Sequence, residues 1–211
     1  MPTATTSPFP SPEQRIRATR FGWWIFLSSE LLFFGPLLAG YAYGRVHLPH
    51  DFVAASRMTD FTLGTTNTAL LLTSSASMAL AVALRRLGHG AACWLLALTA
   101  ALGLAFLAIK GVEYRHEWLE GLAPGPDFRF DSRYAAGAQL FFFLYFCLTG
   151  LHALHLAAGC AACVTLAVAL QRGGAGFASC ERVELTGLYW HFVDVMWIFL
   201  YPLLYLNGRA G

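Results

Sequence analysis

The chain has 211 residues, 57% of them hydrophobic and 12% charged, with a mean hydropathy of +0.54. A soluble domain carries roughly 25% charged residues, so half that share, with long charge-free runs, excludes an ordinary soluble globule and points to several membrane-crossing helices. A formal net charge of +2 is too small to suggest nucleic acid as a partner, and the alternating runs of about ten residues that mark a membrane β-barrel are missing.

Residues 1–20 hold Pro8, Pro10 and Pro12 and no apolar run. They are expected to form a disordered cytoplasmic tail, because a signal peptide needs an apolar core of roughly 7–15 residues. Residues 21–208 are expected to form the transmembrane domain, with spans at about 21–43, 59–84, 91–112, 135–170 and 185–206. Span 1 carries Trp23 and Trp24 for the interfacial belt, then Glu30, roughly 13 Å down the axis at 1.5 Å per residue. Gly35-Pro36 is expected to kink it, and Arg45 to Met58 reads as a loop. Span 2 is rich in hydroxyls and contains Asn67; helix packing explains these most simply. Span 3 is mostly Ala and Leu and runs on into KGVEYRHEWLEG, where Lys110, Glu113 and Glu117 stand at helical spacings. They read as solvated ion pairs beyond the membrane surface.

Span 4 is longer than the roughly twenty residues a bilayer needs, so it tilts or protrudes. It carries His152 and His155, three apart, and small residues suited to close helix contact. A short loop leads to Glu184 and span 5, where His191 and Asp194 lie inside an apolar run and share a helix face. Ionisable residues at such positions are expensive and point to function. The five cysteines do not make a disulfide framework. Cys160 and Cys163 form a CxxC inside a span, with too few ligands for a structural zinc.

The basic residues flanking the spans, Arg15, Arg17 and Arg20 above all, place the N-terminus inside. The expected fold class is therefore all-α: an integral membrane bundle of five transmembrane helices, N-terminus inside. With that topology Glu30, His152, His155, His191 and Asp194 fall at similar depth, which suggests one polar network or a proton-accessible cleft. From chemistry alone these groups leave open a haem site, a metal site of His152, His155 and Asp194, a proton relay through Glu30, or hydrogen-bonded core histidines.

Four stretches carry a family resemblance: WWIFLSSELLFFG (23–35), NTALLLTSSASMALA (67–81), LTGLHALHLAAG (148–159) and VELTGLYWHFVDVMWIFLYPLLYL (183–206). In order and spacing they resemble subunit III of the haem-copper terminal oxidases, the cytochrome c and quinol oxidase family, in a five-helix form. The resemblance implies a bundle docked on catalytic subunit I beside subunit II, within a hetero-oligomeric respiratory complex. It implies no catalytic residue, haem or metal in this chain; the haems and copper belong to partner subunits. Phospholipids are implied as further partners and structural components, although the two helices that complete the family's lipid cleft have no counterpart here. The family's buried carboxylate, modified by hydrophobic carbodiimides, falls on Glu30. His152, His155, Glu184, His191 and Asp194 carry over as lipid-side or polar-network residues. The implied role is accessory, sustaining proton uptake into subunit I during aerobic electron transport. A subunit III-like accessory protein of a nitric oxide reductase and a free-standing membrane cytochrome are the alternatives.

Overall fold

The computed structural model describes residues 12–126, 128–174 and 176–209. Six α-helices follow one another among these residues: α1 (Pro12–His47), α2 (Pro49–Met58), α3 (Phe61–Arg86), α4 (Ala92–Leu119), α5 (Ala135–Gln171) and α6 (Cys180–Tyr201). A π-helical turn, Pro202–Leu206, prolongs α6. There are no strands among the described residues. Five helical segments are long and apolar enough to cross a membrane, the last spanning Cys180–Leu206. This is the five-helix bundle expected from the sequence.

Two boundaries differ from expectation. Residues 12–20 are helical and continuous with span 1 rather than part of a tail; Pro12 suits a first helical position because its missing N–H would be unpaired there anyway. Residues 1–11 of the expected tail lie outside the described residues. The segment expected as a loop before span 2 contains α2. Its cause is local: Pro49 opens it, and Asp51 and Arg57 complement the helix dipole at the two ends. Phe52, Ala55 and Ser56, at spacings of three and four, bury one face. Asp60 then caps α3, its Oδ1 accepting from Thr62 N at 2.9 Å and Leu63 N at 3.0 Å.

Helices α3, α4 and α5 end alike. Gly88, Gly121 and Gly173 follow them at φ of 73°, 75° and 75°, a conformation open to glycine at little cost. At the first, His89 N returns to Leu84 O at 3.0 Å and Gly88 N to Arg85 O at 3.1 Å, closing a Schellman motif.

The core is a ring of four helices, in which α3 packs on α4 and α6, and α5 on α4 and α6. Phe106, Phe141, Phe142, Tyr145, Trp190, Trp197 and Tyr205 fill it. Helix α1 leans on α5 and is the least buried of the spans; it runs helical through Pro36. The end of the bundle where α1 starts is called the near end below, and the opposite end the far end.

Candidate functional site

Glu30, midway along α1, reaches across to α5. Its Oε2 lies 2.8 Å from His155 Nε2, and both side chains are largely buried. His155 Nδ1 lies 2.8 Å from Leu151 O. A carbonyl only accepts, so Nδ1 donates. Nε2 is then the ring nitrogen that faces the Glu30 carboxyl. The Phe34 ring lies tilted against the imidazole, centroids 5.7 Å apart, and Tyr189 OH donates to His155 O at 3.0 Å.

His191 and Asp194 share a face of α6, as their spacing predicts. Ser75 of α3 holds His191, Oγ to Nδ1 at 2.8 Å. Asp194 Oδ2 is 4.0 Å from that nitrogen, beyond hydrogen-bond reach. The Ser75 hydroxyl also faces the Asp194 carboxyl, whereas both ring nitrogens of His152 lack a hydrogen-bond partner among the described residues. The His152 ring sits between aromatics, 5.5 Å from Phe106 and 5.1 Å from Trp197. Glu184 lies at the near end of α6, where its Oε1 accepts from Arg86 Nε at 2.7 Å. The pair is partly exposed, so it contributes little to stability.

The five mid-span groups therefore do not form one hydrogen-bonded network. The structure divides them into a Glu30–His155 pair between α1 and α5, a Ser75–His191 pair with Asp194 behind it, and His152 enclosed by rings. Rotation of each helix about its axis separates residues that share a depth.

A further cluster replaces the solvated ion pairs expected at the end of span 3. Lys110, Glu113 and Glu117 are 2%, 1% and 4% exposed. The Lys110 ammonium donates to Glu113 Oε2 at 3.1 Å, Tyr145 OH at 2.8 Å and Tyr205 OH at 2.8 Å. All three of its donors are thereby used. Both phenols donate in turn to Glu113 Oε1, at 2.8 and 2.6 Å. A signal for this was present: Leu96, Thr99, Gly103, Phe106, Lys110, Glu113 and Glu117 recur at alternating spacings of three and four. That is the seam of a helix facing its neighbours, and all seven are buried.

The far end of α6 is built to deliver Tyr205 to this cluster. The π-helical turn after Pro202 inserts extra backbone where the helix would otherwise carry on. Tyr41 OH donates to Leu203 O, and Ser56 Oγ donates to Leu204 O at 2.8 Å. Arg209 donates to Tyr205 O at 2.8 Å and Thr59 O at 2.7 Å, fastening the segment to the junction of α2 and α3.

Comparison with known proteins matches this arrangement to one family. The family described as Cytochrome c oxidase subunit III matches residues 13–209. The chain is 32% identical to cytochrome c oxidase subunit 3 of Alkalihalophilus pseudofirmus over 197 residues, covering 90% of this chain and 87% of the relative. It is 29% identical to cytochrome c oxidase subunit 3 of Bacillus subtilis, covering 98% and 97%. It is 30% identical to cytochrome bo(3) ubiquinol oxidase subunit 3 of Pseudomonas aeruginosa, covering 90% and 85%. A multi-pass protein of the bacterial plasma membrane, the chain belongs to the cytochrome c oxidase subunit III family of the haem-copper oxidases.

Proposed function

We propose that this chain is the accessory third subunit of a proton-pumping haem-copper oxidase. It docks on catalytic subunit I, beside subunit II, stabilises it and sustains proton uptake during turnover. The observation that carries this reading is the family match across residues 13–209. Its N-terminus lies inside, on the strength of the arginines ahead of span 1. Haems and copper are held by partner subunits, and phospholipid is a structural companion of this one. Two of the three mid-span histidines are engaged within the chain, His155 with Glu30 and Leu151 and His191 with Ser75, and His152 is enclosed by the rings of Phe106 and Trp197. Relatives include both cytochrome c and quinol oxidase subunits, in keeping with a donor site on other subunits.

Within this role Glu30–His155 is the group suited to proton exchange, since a carboxyl and an imidazole face each other 2.8 Å apart. The test is Glu30→Gln in the assembled oxidase. The first turnovers of oxygen consumption are expected at the wild-type rate, with a faster decline over many turnovers or a lower proton yield per electron. Failure from the first turnover, with haem content unchanged, would place Glu30 on an obligatory path and overturn the accessory reading.

A further inference from the structure

We propose that Glu117 is a proton-binding site: it takes one proton from the aqueous phase at the far end of the bundle, through a cavity that it lines, and returns it there. This exchange is separate from Glu30–His155 and does not rest on the oxidase assignment.

Glu117 comes 25 residues after Ala92, the first residue of α4, about 37 Å along the axis at 1.5 Å per residue. A hydrocarbon layer is about 30 Å thick, so the carboxyl stands at its far boundary rather than in mid-membrane. The side chain is nonetheless buried, at 4% exposure. It lines a cavity of about 350 Å³ between the start of α3 and the end of α4.

The hydrogens of the described cluster are already spent. Lys110 has three, which go to Glu113 Oε2, Tyr145 OH and Tyr205 OH. Tyr145 and Tyr205 have one each, and both go to Glu113 Oε1. Thr149 Oγ1 gives its hydrogen to Tyr145 O at 2.6 Å, so the Tyr114 hydroxyl, 2.5 Å away, gives its own to Thr149. No described residue brings a hydrogen to either Glu117 oxygen in hydrogen-bond geometry. The Tyr145 hydroxyl faces this carboxyl too, but its one hydrogen is with Glu113. A hydrogen between Tyr145 and Glu117 is therefore Glu117's own, donated to the phenol oxygen.

Charge balance also places a proton there. One ammonium and two carboxyls, Lys110, Glu113 and Glu117, are each at 4% exposure or less. Glu113 is the ion-pair partner of Lys110. A second carboxylate beside them would leave a net negative charge out of water, which is costly. One proton on Glu117 makes the cluster neutral. On the cavity wall, Arg209 gives its hydrogens to backbone carbonyls, among them Tyr205 O and Thr59 O. Asp60 Oδ1 caps α3. His116 and Glu120 also line the cavity and are exposed, so groups that exchange protons with water stand at its mouth. The step is a simple transfer: a hydronium ion in the cavity gives its proton to a Glu117 oxygen and leaves as water, and release reverses this.

The test is infrared difference spectroscopy of the full chain in lipid nanodiscs, stepped between acid and alkaline baths in H2O and in D2O. The wild type is expected to lose the carbonyl band of a buried carboxylic acid as the bath turns alkaline and to regain it on return, with the band at lower frequency in D2O. Glu117→Gln should lack that band, whereas Glu30→Gln should keep it. Glu113→Gln should also lack it, because Glu117 then becomes the counter-ion of Lys110; a group that only packs would be unmoved. This second variant still reads the site if Glu117→Gln fails to fold. Persistence of the band in Glu117→Gln would overturn the site. Persistence in Glu113→Gln would overturn the charge balance that puts the proton there. A wild-type chain with no titrating acid band would overturn both.

Discussion

Lys110→Met isolates the energetics of the cluster at the far end. The substitution keeps an unbranched apolar stem and deletes the ammonium, along with its hydrogen bonds to Glu113, Tyr145 and Tyr205. Glu113 keeps both phenol donors but loses its counter-charge at 1% exposure. Breaking a buried pair by removing one partner costs about 3–5 kcal/mol. At about 1.4 kcal/mol per factor of ten, that is roughly a hundredfold to a few thousandfold in the unfolding equilibrium. Lys110→Met with Glu113→Gln removes both charges, so the double variant is expected to regain about 2 kcal/mol of the loss, a non-additivity typical of residues in direct contact. Reversible unfolding in mixed detergent micelles, followed by tryptophan emission, reads the change directly. Trp197 is a local reporter: its ring lies 5.7 Å from Lys110 Nζ and 6.2 Å from the Tyr205 ring. If Lys110→Met unfolds within about 0.5 kcal/mol of wild type, or if the two substitutions simply add, the cluster is not a desolvated pair and the reasoning fails.

Gly103→Ala would bring a Cβ to 2.6 Å from Cys160 Sγ and 2.8 Å from Trp190 Cη2; a loss of about 1–3 kcal/mol is expected from overpacking, checked by thermal unfolding. Arg209→Ala frees carbonyls at Thr59 and Tyr205, and faster hydrogen exchange across 202–209 should follow, with unchanged exchange in the middle of α4. A reporter fused to the C-terminus should be active only on the outer side of the membrane, since five spans place the two termini on opposite faces; activity in the cytoplasm would reverse the proposed orientation.

Much of the fold is legible in the sequence because lipid sets a strong filter. Charge-free runs of span length can hardly be anything but helices, and the spans fall where those runs are. Helix α2 escaped that filter because it is only ten residues long, with three buried positions among charged ones. The ionisable groups of the site were legible one at a time, as polar residues out of place. Their partners were not, because Glu30 meets His155 rather than His152 through the relative rotation of α1 and α5, which no spacing within one helix encodes. Lys110, Glu113 and Glu117 were misread for a related reason. Upstream of them α4 is apolar on all sides, so no amphipathic contrast marks its inner face. The heptad seam through Gly103 and Phe106 does mark it, and extending that seam places all three charges inside.

The account stands or falls on what this chain accompanies. Affinity purification of the tagged chain from native membranes, with mass identification of its partners and a visible spectrum before and after the subunits are separated, tests it most directly. The account predicts co-elution with a haem-copper catalytic subunit and a copper-binding subunit II, with the Soret band following the catalytic subunit and leaving this chain colourless. A chain that elutes alone with its own stoichiometric Soret band, or with the catalytic subunit of a nitric oxide reductase, would contradict it.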